Sequence, residues 1–516
     1  MIRRLALGVL SLTVIIGTGL LLADHLAPPA SGVPSQALVP QTAQTPIDRE
    51  LAPLLAAHPE QTGVLLVTDG LDAFAIRAIA TRKAGRSLDL QYYIWRDDLT
   101  GHLLAREVHA AAQRGVRVRI LLDDLNAQGI DPELMALDAH PNIELRLYNP
   151  FRNRRGPTRV IEMLHRIFSL NNRMHNKAWI ADGRVAVIGG RNIGGEYFSA
   201  DPAVNFRDLD LLLLGPAVQQ ASAIFDDFWN SAAAVPMAAL SEKSPEALRR
   251  MLASIDMDAT KPAAQPYLIR VAQAQAVRDY FKDALHTRWS AGVRVVSDPP
   301  LKGREGDHSG WLVHRLASTL ATAQRKALLV TPYFVPGERG ANTLAALAEK
   351  GIEVGIATNS LASTDVPAVH GGYMRYRNTL LERGIHLYEI KARQHSGLAR
   401  LFGSSSSASL HSKAFVVDDA RGFVGSFNLD PRSINLNTEM GVLFEDAAIA
   451  VDVRNEYLRL TNPALSYWVF RNAGGEVRWL DRAQAPPIVI GQEPDTSAWQ
   501  RTSAVLLSLL PIESQL

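Results

Sequence analysis

The chain of 516 residues contains no cysteine. That excludes disulfides, thiolate metal sites and a lipidated N-terminal cysteine, and it leaves the redox compartment open. A charge excess is also missing: Lys plus Arg number 54 against 52 for Asp plus Glu, so no global charge calls for nucleic acid as a partner. There is no HExxH pattern to suggest a zinc hydrolase. The 47% hydrophobic content is enough for a large buried core and two or more domains.

One nineteen-residue pattern is present twice. MHNKAWIADGRVAVIGGRN, Met174 to Asn192, returns 236 residues later as LHSKAFVVDDARGFVGSFN, Leu410 to Asn428. His175, Lys177, Asp182 and Asn192 match His411, Lys413, Asp418 and Asn428 without a gap, and Gly190 matches Ser426. The apolar residues after each Lys suggest a strand, whose alternation sends His and Lys to one face. Two such pairs facing each other would surround a tetrahedral anion with two ammoniums and two imidazoles. One imidazole could then attack phosphorus while the other protonates the leaving alcohol. The lysines would stabilise the charge growing on the equatorial oxygens, and Asn192 and Asn428 would add neutral donors. Taken singly, either octapeptide could be a satisfied structural His on a strand, and a metal site is opposed by the Lys set between the would-be ligands. The gap-free repetition favours a single composite site.

This pattern resembles the phospholipase D superfamily, whose signature is a duplicated HxKx4D followed by Gly-Gly or Gly-Ser and Asn. The resemblance runs from about residue 60 through nearly all of the chain. It implies an α/β fold of two fused halves related by a pseudo-twofold axis, each a mixed, mostly parallel sheet flanked by helices, with the site between them. It also implies phosphoryl transfer through a phosphohistidine without metal or cofactor. His175 would be the nucleophile and His411 the acid and later the base. Lys177 and Lys413 belong to the catalytic set, and Asp182 and Asp418 complete it or merely support the strand-turn. Gly190, Asn192, Ser426 and Asn428 fall on the substrate side. The family's His-orienting acid matches Glu439, 28 residues after its motif His, and less securely Asp208, 33 residues after, with Asp210 as competitor. The LDLQYYIWRDDLTGHLL run and the ending LSLLPIES are similar to bacterial cardiolipin synthases with one N-terminal hydrophobic segment. The implied reaction moves a phosphatidyl group from a donor phospholipid, phosphatidylglycerol or phosphatidylethanolamine, to phosphatidylglycerol. Phospholipase D-type hydrolysis to phosphatidic acid is the alternative. An inert membrane scaffold and a nucleic-acid-binding module are further readings, opposed by the intact His and Lys pairs and by the near-neutral charge.

Residues 1–23 read as a membrane anchor or signal segment. Arg3 and Arg4 precede an apolar run from Leu5 to Ala23, which as a helix spans roughly 28 Å, near a bilayer's hydrocarbon thickness. The positive end stays cytoplasmic, which places the body on the periplasmic side of a bacterial inner membrane. Residues 24–47 form a proline-rich linker, 48–240 the first domain, and 241–516 the second, with a helical connection at its start. In the first half, the pattern predicts a strand over Leu88 to Trp95, a helix from about Gly101 to Arg114 closed by Gly115, and a strand over Val116 to Asp123. The second half repeats this plan around Gly351. Asp123 and Asn359 occupy matching strand ends and are second-tier site candidates. Arg152, Arg154, Arg155, Arg159, Arg166 and Arg173, and the stretch GGYMRYRN (Gly371 to Asn378), are either solvated or suited to anionic headgroups. The apolar run from Ala504 to Leu510 is too short to span a bilayer, and either packs on the body or lies in the interface.

Overall fold

The first helix of each parallel core ends at a glycine with positive φ. Asp98 caps the helix Leu99–Gln113 by accepting from the Gly101 amide at 2.9 Å. The helix buries Leu103, Leu104, Val108, Ala111 and Ala112 at helical spacing. It stops at Gly115, whose φ of +92° is open to a residue without Cβ. Truncating fully buried Leu104 to Ala would cost about 2–5 kcal/mol. The counterpart helix Gly337–Glu349 ends at Gly351, with φ +81°. The computed structural model describes residues 32–127, 136–151, 171–240, 243–262, 264–281, 286–303, 306–392 and 409–516.

The first sheet has nine strands, in the spatial order Ala234–Pro236, Ile143–Tyr148, Arg117–Asp123, Ser87–Tyr92, Ala178–Ala181, Val185–Gly189, Asp210–Leu214, Thr62–Val67, Arg288–Ser290. The second has ten: Val293–Ser297, Met440–Glu445, Arg421–Gly425, Lys413–Val417, Lys326–Val330, Glu353–Asn359, His386–Ile390, Ser466–Arg471, Val477–Asp481, Ile488–Ile490. Both sheets are mixed, but not mostly parallel as expected. Only the strands joined by crossovers pair in parallel, Ser87–Tyr92 to Arg117–Asp123 to Ile143–Tyr148 and their counterparts. The motif strands return through tight turns, which enforce antiparallel ladders.

The two sheets share one apolar core. Leu121, Ile180, Ile188 and Leu211 of the first sheet pack in the same cluster as Leu328, Val416, Val424 and Val442 of the second, together with Phe225 and Trp229 of the helix Pro216–Trp229 and Val453 and Tyr457 of Ala447–Leu460. Separate clusters lie under the outer helices of each half.

Two boundary expectations need correction. The helices Pro245–Thr260, Gln265–Ala272 and Gln275–Phe281 pack on the helices of the first half, and Arg288–Ser290 joins the first sheet. The second half therefore begins near Val293, whose strand occupies the place that Thr62–Val67 holds in the first. The connection belongs with the first half because Ile255, Ala259 and Tyr267 bury their apolar faces there. The described part of the proline-rich linker is not free either. Its Ser35 carbonyl accepts from buried Arg119 at 3.0 Å, and the Ser35 hydroxyl accepts from Trp229 Nε1 at 2.9 Å. Buried guanidiniums need acceptors, and an extended segment offers its carbonyls. Among the described residues no helix is long and apolar enough to cross a membrane; residues 1–23 lie outside them.

Candidate active site at the junction of the halves

The residues just before each motif strand cross to the other half. Met174 bridges Thr438, and Leu410 bridges Arg207. The His175 amide donates to Thr438 O at 2.9 Å, and the His411 amide donates to Arg207 O at 2.8 Å. Asp123 and Asn359 hold the same segments from behind. Asp123 Oδ2 accepts from the Met174 amide at 2.9 Å, and the Asn359 carboxamide both accepts from Leu410 N and donates to Leu410 O at 2.9 Å. Burial lifts the Asp123 carboxyl to about 6.

The crossing exchanges the acids. His175 Nδ1 lies 2.8 Å from Glu439 Oε2, and His411 Nδ1 lies 2.6 Å from Asp208 Oδ2, so each imidazole is held by a carboxylate of the other half. Each ring thus directs Nε2 away from its carboxylate. Asp208 and Glu439 are equivalent despite their unequal spacing from the motif His of their own half. Each immediately precedes the residue whose carbonyl accepts from the Gly190 or Ser426 amide, at 2.9 Å in both halves. The competitor Asp210 is taken up elsewhere, pairing with Arg77 at 2.9 Å and Arg191 at 3.4 Å.

The two dyads differ. Burial pushes Glu439 up to about 7, against the pull of Lys177 and the hydroxyls of Ser426 and Ser433. Asp208 is equally buried, but His411 and Lys413 outweigh that burial and hold it below the usual carboxylate range. Burial, with Lys177 and Lys413 nearby, drives His175 well below its ordinary value. His411 is also lowered by burial and Lys413, while Asp208 pulls the other way. Both lysines are buried: Lys177 Nζ donates to His175 O at 2.6 Å, and Lys413 Nζ lies 2.9 Å from His411 Nδ1. Burial depresses Lys177 strongly and brings Lys413 to about 8, so an arriving anion would strengthen their charge.

The remaining candidates divide. Asn192 is occupied by the protein, accepting from Ile94 N at 3.2 Å and donating to Tyr197 Oη at 2.9 Å. Asn428 is buried with its Oδ1 unpartnered. Ser426 donates to Glu439, whereas a Cβ at Gly190 would come within 2.2 Å of Asp208 Oδ1. Both therefore lie against the orienting acids. Asp182 and Asp418 are not brought to the imidazoles. At the far ends of the motif strands, in left-handed turns, Asp182 accepts from the amides of Gly85, Arg86 and Ser87, and Asp418 from those of Gln324, Arg325 and Lys326.

Sequence reasoning missed the aromatic walls. Tyr93 meets His175 edge-on at 5.0 Å, Tyr197 does the same to His411 at 5.2 Å, and Phe206 stacks on His411 at 5.2 Å. Ser433, 2.8 Å from Glu439 Oε1, was missed too. Their only signal was position, since Tyr197 and Ser433 both lie five residues after the motif Asn. GGYMRYRN is only partly exposed. It lies in the helix Pro367–Glu382, with Arg377 buried against Glu389 and Glu493, and Arg375 paired with Glu513. Arg173 is buried near Asp123; the other lead-in arginines lie outside the described residues. The helix Ala498–Ser508 packs on the body through Ala504, with Leu506 and Leu509 left exposed.

Comparison with known proteins agrees with this architecture. The family model described as cardiolipin synthase, PLD-like domain, matches residues 78–229 and 316–461, which contain both motifs. The chain is 38% identical to cardiolipin synthase C of Escherichia coli (strain K12) over 89% of its own length and 98% of the relative's. It is 24% identical to a cardiolipin synthase of Staphylococcus aureus (strain Mu50) over 76% of this chain and 66% of that one. The phosphatidylserine synthase structure from Haemophilus influenzae Rd KW20 superposes with a TM-score of 0.57 at 13% identity, covering 89% of this chain and 96% of that one, a likeness of fold. The chain belongs to the cardiolipin synthase family of phospholipase D-like proteins, carrying the domain twice.

Proposed function

We propose that this protein is a cardiolipin synthase-type phosphatidyltransferase that moves a phosphatidyl group from a donor phospholipid to phosphatidylglycerol. The observation that carries the reading is the pair of buried imidazoles, each with Nδ1 on a carboxylate of the opposite half and a motif lysine beside it. His175, held neutral by burial and two ammoniums, attacks the donor phosphorus through Nε2. His411, lowered less than His175 because the ionised Asp208 favours its protonated form, gives its Nε2 proton to the departing alcohol. In the second half-reaction His411 takes the proton of the incoming hydroxyl as its oxygen bonds phosphorus and the P–N bond to His175 breaks. Lys177 and Lys413 stabilise the equatorial oxygens. Gly190 and Ser426 act through Asp208 and Glu439, and Asp182 and Asp418 act as turn supports. The donor is phosphatidylglycerol or phosphatidylethanolamine. Residues 1–23 anchor the protein in a bacterial inner membrane with the body on the periplasmic side.

Labelled phosphatidylglycerol given to the purified protein with chelator is expected to yield cardiolipin and glycerol. Phosphatidic acid as the sole product would replace synthase by hydrolase, and no turnover would end the enzymatic reading.

A further inference from the structure

The duplication is broken beside His175. Four and five residues after the motif Asn, the first half has Glu196 and Tyr197, and the second has Arg432 and Ser433. The positions correspond in space as well, because Ile193 bridges Trp95 just as Leu429 bridges Phe334. In the first half Tyr197 fills the space: its hydroxyl takes the Asn192 donor and its ring covers His411. Glu196 there is paired with Arg96 at 3.2 Å. In the second half no ring stands at that position. Ser433 turns its hydroxyl to Glu439, the acid of His175, and Asn428 keeps a buried carbonyl oxygen with no donor.

Arg432 stands next to this gap. Its backbone is clamped, the amide donating to Leu516 O at 2.7 Å. Among the described residues its guanidinium makes one hydrogen bond, to Asn171 O at 3.2 Å, four residues before His175. Its charge is among the influences that lower the His175 imidazole. A site that only hydrolyses needs one anion cradle. A site that joins two phospholipids must hold a second phosphate, one glycerol length from the reacting phosphorus, and a hydroxyl beside it.

We propose that Arg432 and Asn428 form an acceptor subsite, in which the guanidinium holds the phosphate of the incoming phospholipid and the Asn428 carbonyl oxygen accepts from a hydroxyl of its glycerol headgroup. This rests on the transferase reading above and names how that site selects its acceptor. The other free hydroxyl of that glycerol attacks the phosphohistidine phosphorus, its proton passes to His411 Nε2, and His175 departs as neutral imidazole. The acceptor's own phosphate takes part in no bond change. Glu196 at the matching place would repel a phosphate, so the guanidinium has no counterpart in the first half.

The test is a competition in one tube. The full-length protein in mixed micelles of labelled phosphatidylglycerol and ethanol partitions its phosphohistidine between cardiolipin and phosphatidylethanol. Arg432→Gln is expected to lower the cardiolipin-to-phosphatidylethanol ratio about ten- to a hundredfold, the range of a lost charge-assisted hydrogen bond. Arg432→Lys should recover part of that ratio, since the charge remains while the fork is lost. Asn428→Ala should lower the ratio as well. Because a ratio is read, partial misfolding does not move it. An unchanged ratio in Arg432→Gln, or a ratio in Arg432→Lys no better than in Arg432→Gln, would overturn the subsite. Wild-type protein that forms phosphatidylethanol but no cardiolipin would instead overturn the synthase reading and the subsite with it.

Discussion

Exchange of acids between the halves makes a prediction that a within-half arrangement would not. Glu439→Gln should impair the step carried by His175, and Asp208→Asn the steps carried by His411, although each acid belongs to the other half. Both imidazole–carboxylate contacts are short, 2.8 and 2.6 Å, and both partners are buried. A hydrogen bond to a charged partner contributes about 1.5–3 kcal/mol, so each variant should slow its own step roughly ten- to 150-fold. The assay is a rapid-quench burst with a phosphatidyl ester of p-nitrophenol, whose leaving group needs no proton. With that donor Asp208→Asn should keep the nitrophenolate burst and lose turnover, because only deacylation-like transfer still needs His411 as base. Glu439→Gln should lose the burst itself, and a better leaving group should not restore it. The opposite pattern, a burst lost in Asp208→Asn and kept in Glu439→Gln, would refute the crossed assignment with His175 as nucleophile.

Further outcomes follow from the same geometry. His175→Ala and His411→Ala should each reduce transfer more than about a hundredfold while the fold is kept, since neither imidazole supports the apolar core; a variant retaining more than about a hundredth of the activity contradicts the covalent scheme. Asp418→Ala should cost about 0.5–2 kcal/mol, the loss of a side-chain cap on three largely exposed backbone amides, while leaving kcat/KM per folded molecule within about twofold, read by melts and by assays well below Tm. Glu439 titrates at about 7 in the fold against 4.5 unfolded, so its contribution to stability is complete below about 4.5 and is lost as pH rises through 7. Glu439→Gln removes that loss. The stability of the variant relative to wild type should therefore improve by on the order of 3 kcal/mol between pH 4 and pH 8, and a pH-independent difference between their melts would contradict it.

What could be read in the sequence was what lies within one strand or one turn. The gap-free match of His175, Lys177 and Asn192 to His411, Lys413 and Asn428 located both halves of the site, and the helix ends at Gly115 and Gly351 fell where expected because a positive φ selects glycine locally. The mixed character of the sheets was legible, but their predominantly antiparallel pairing was not, since it depends on how the motif strands return. Contacts between halves left no local trace. Nothing near Asp208 announces that it serves His411, and the unequal spacing obscured its equivalence to Glu439; the extra residues sit in the loop that carries Tyr197 and Phe206. The helical connection was assigned to the wrong half for the same reason, as its apolar face states that it packs but not on what. Arg377 read as solvated or suited to anionic headgroups because sequence does not show the two glutamates that bury it.

The crossed dyads also explain why two nearly equivalent halves must stay fused and in contact. A half on its own would carry a His whose orienting carboxylate is missing and a buried carboxylate whose imidazole is missing, and each orphan costs about 1–3 kcal/mol or more when left unpaired. The shared apolar cluster, which runs from Ile180 and Leu211 to Val416 and Val442, holds the halves together and so fixes both dyads at once. The two dyads are nonetheless not identical in their electrostatics. Asp208 stays ionised and partly offsets the burial that lowers His411, whereas burial raises Glu439 and leaves His175 the more strongly lowered ring. The electrostatic difference between the two dyads thus arises in the few positions where the second copy departs from the first.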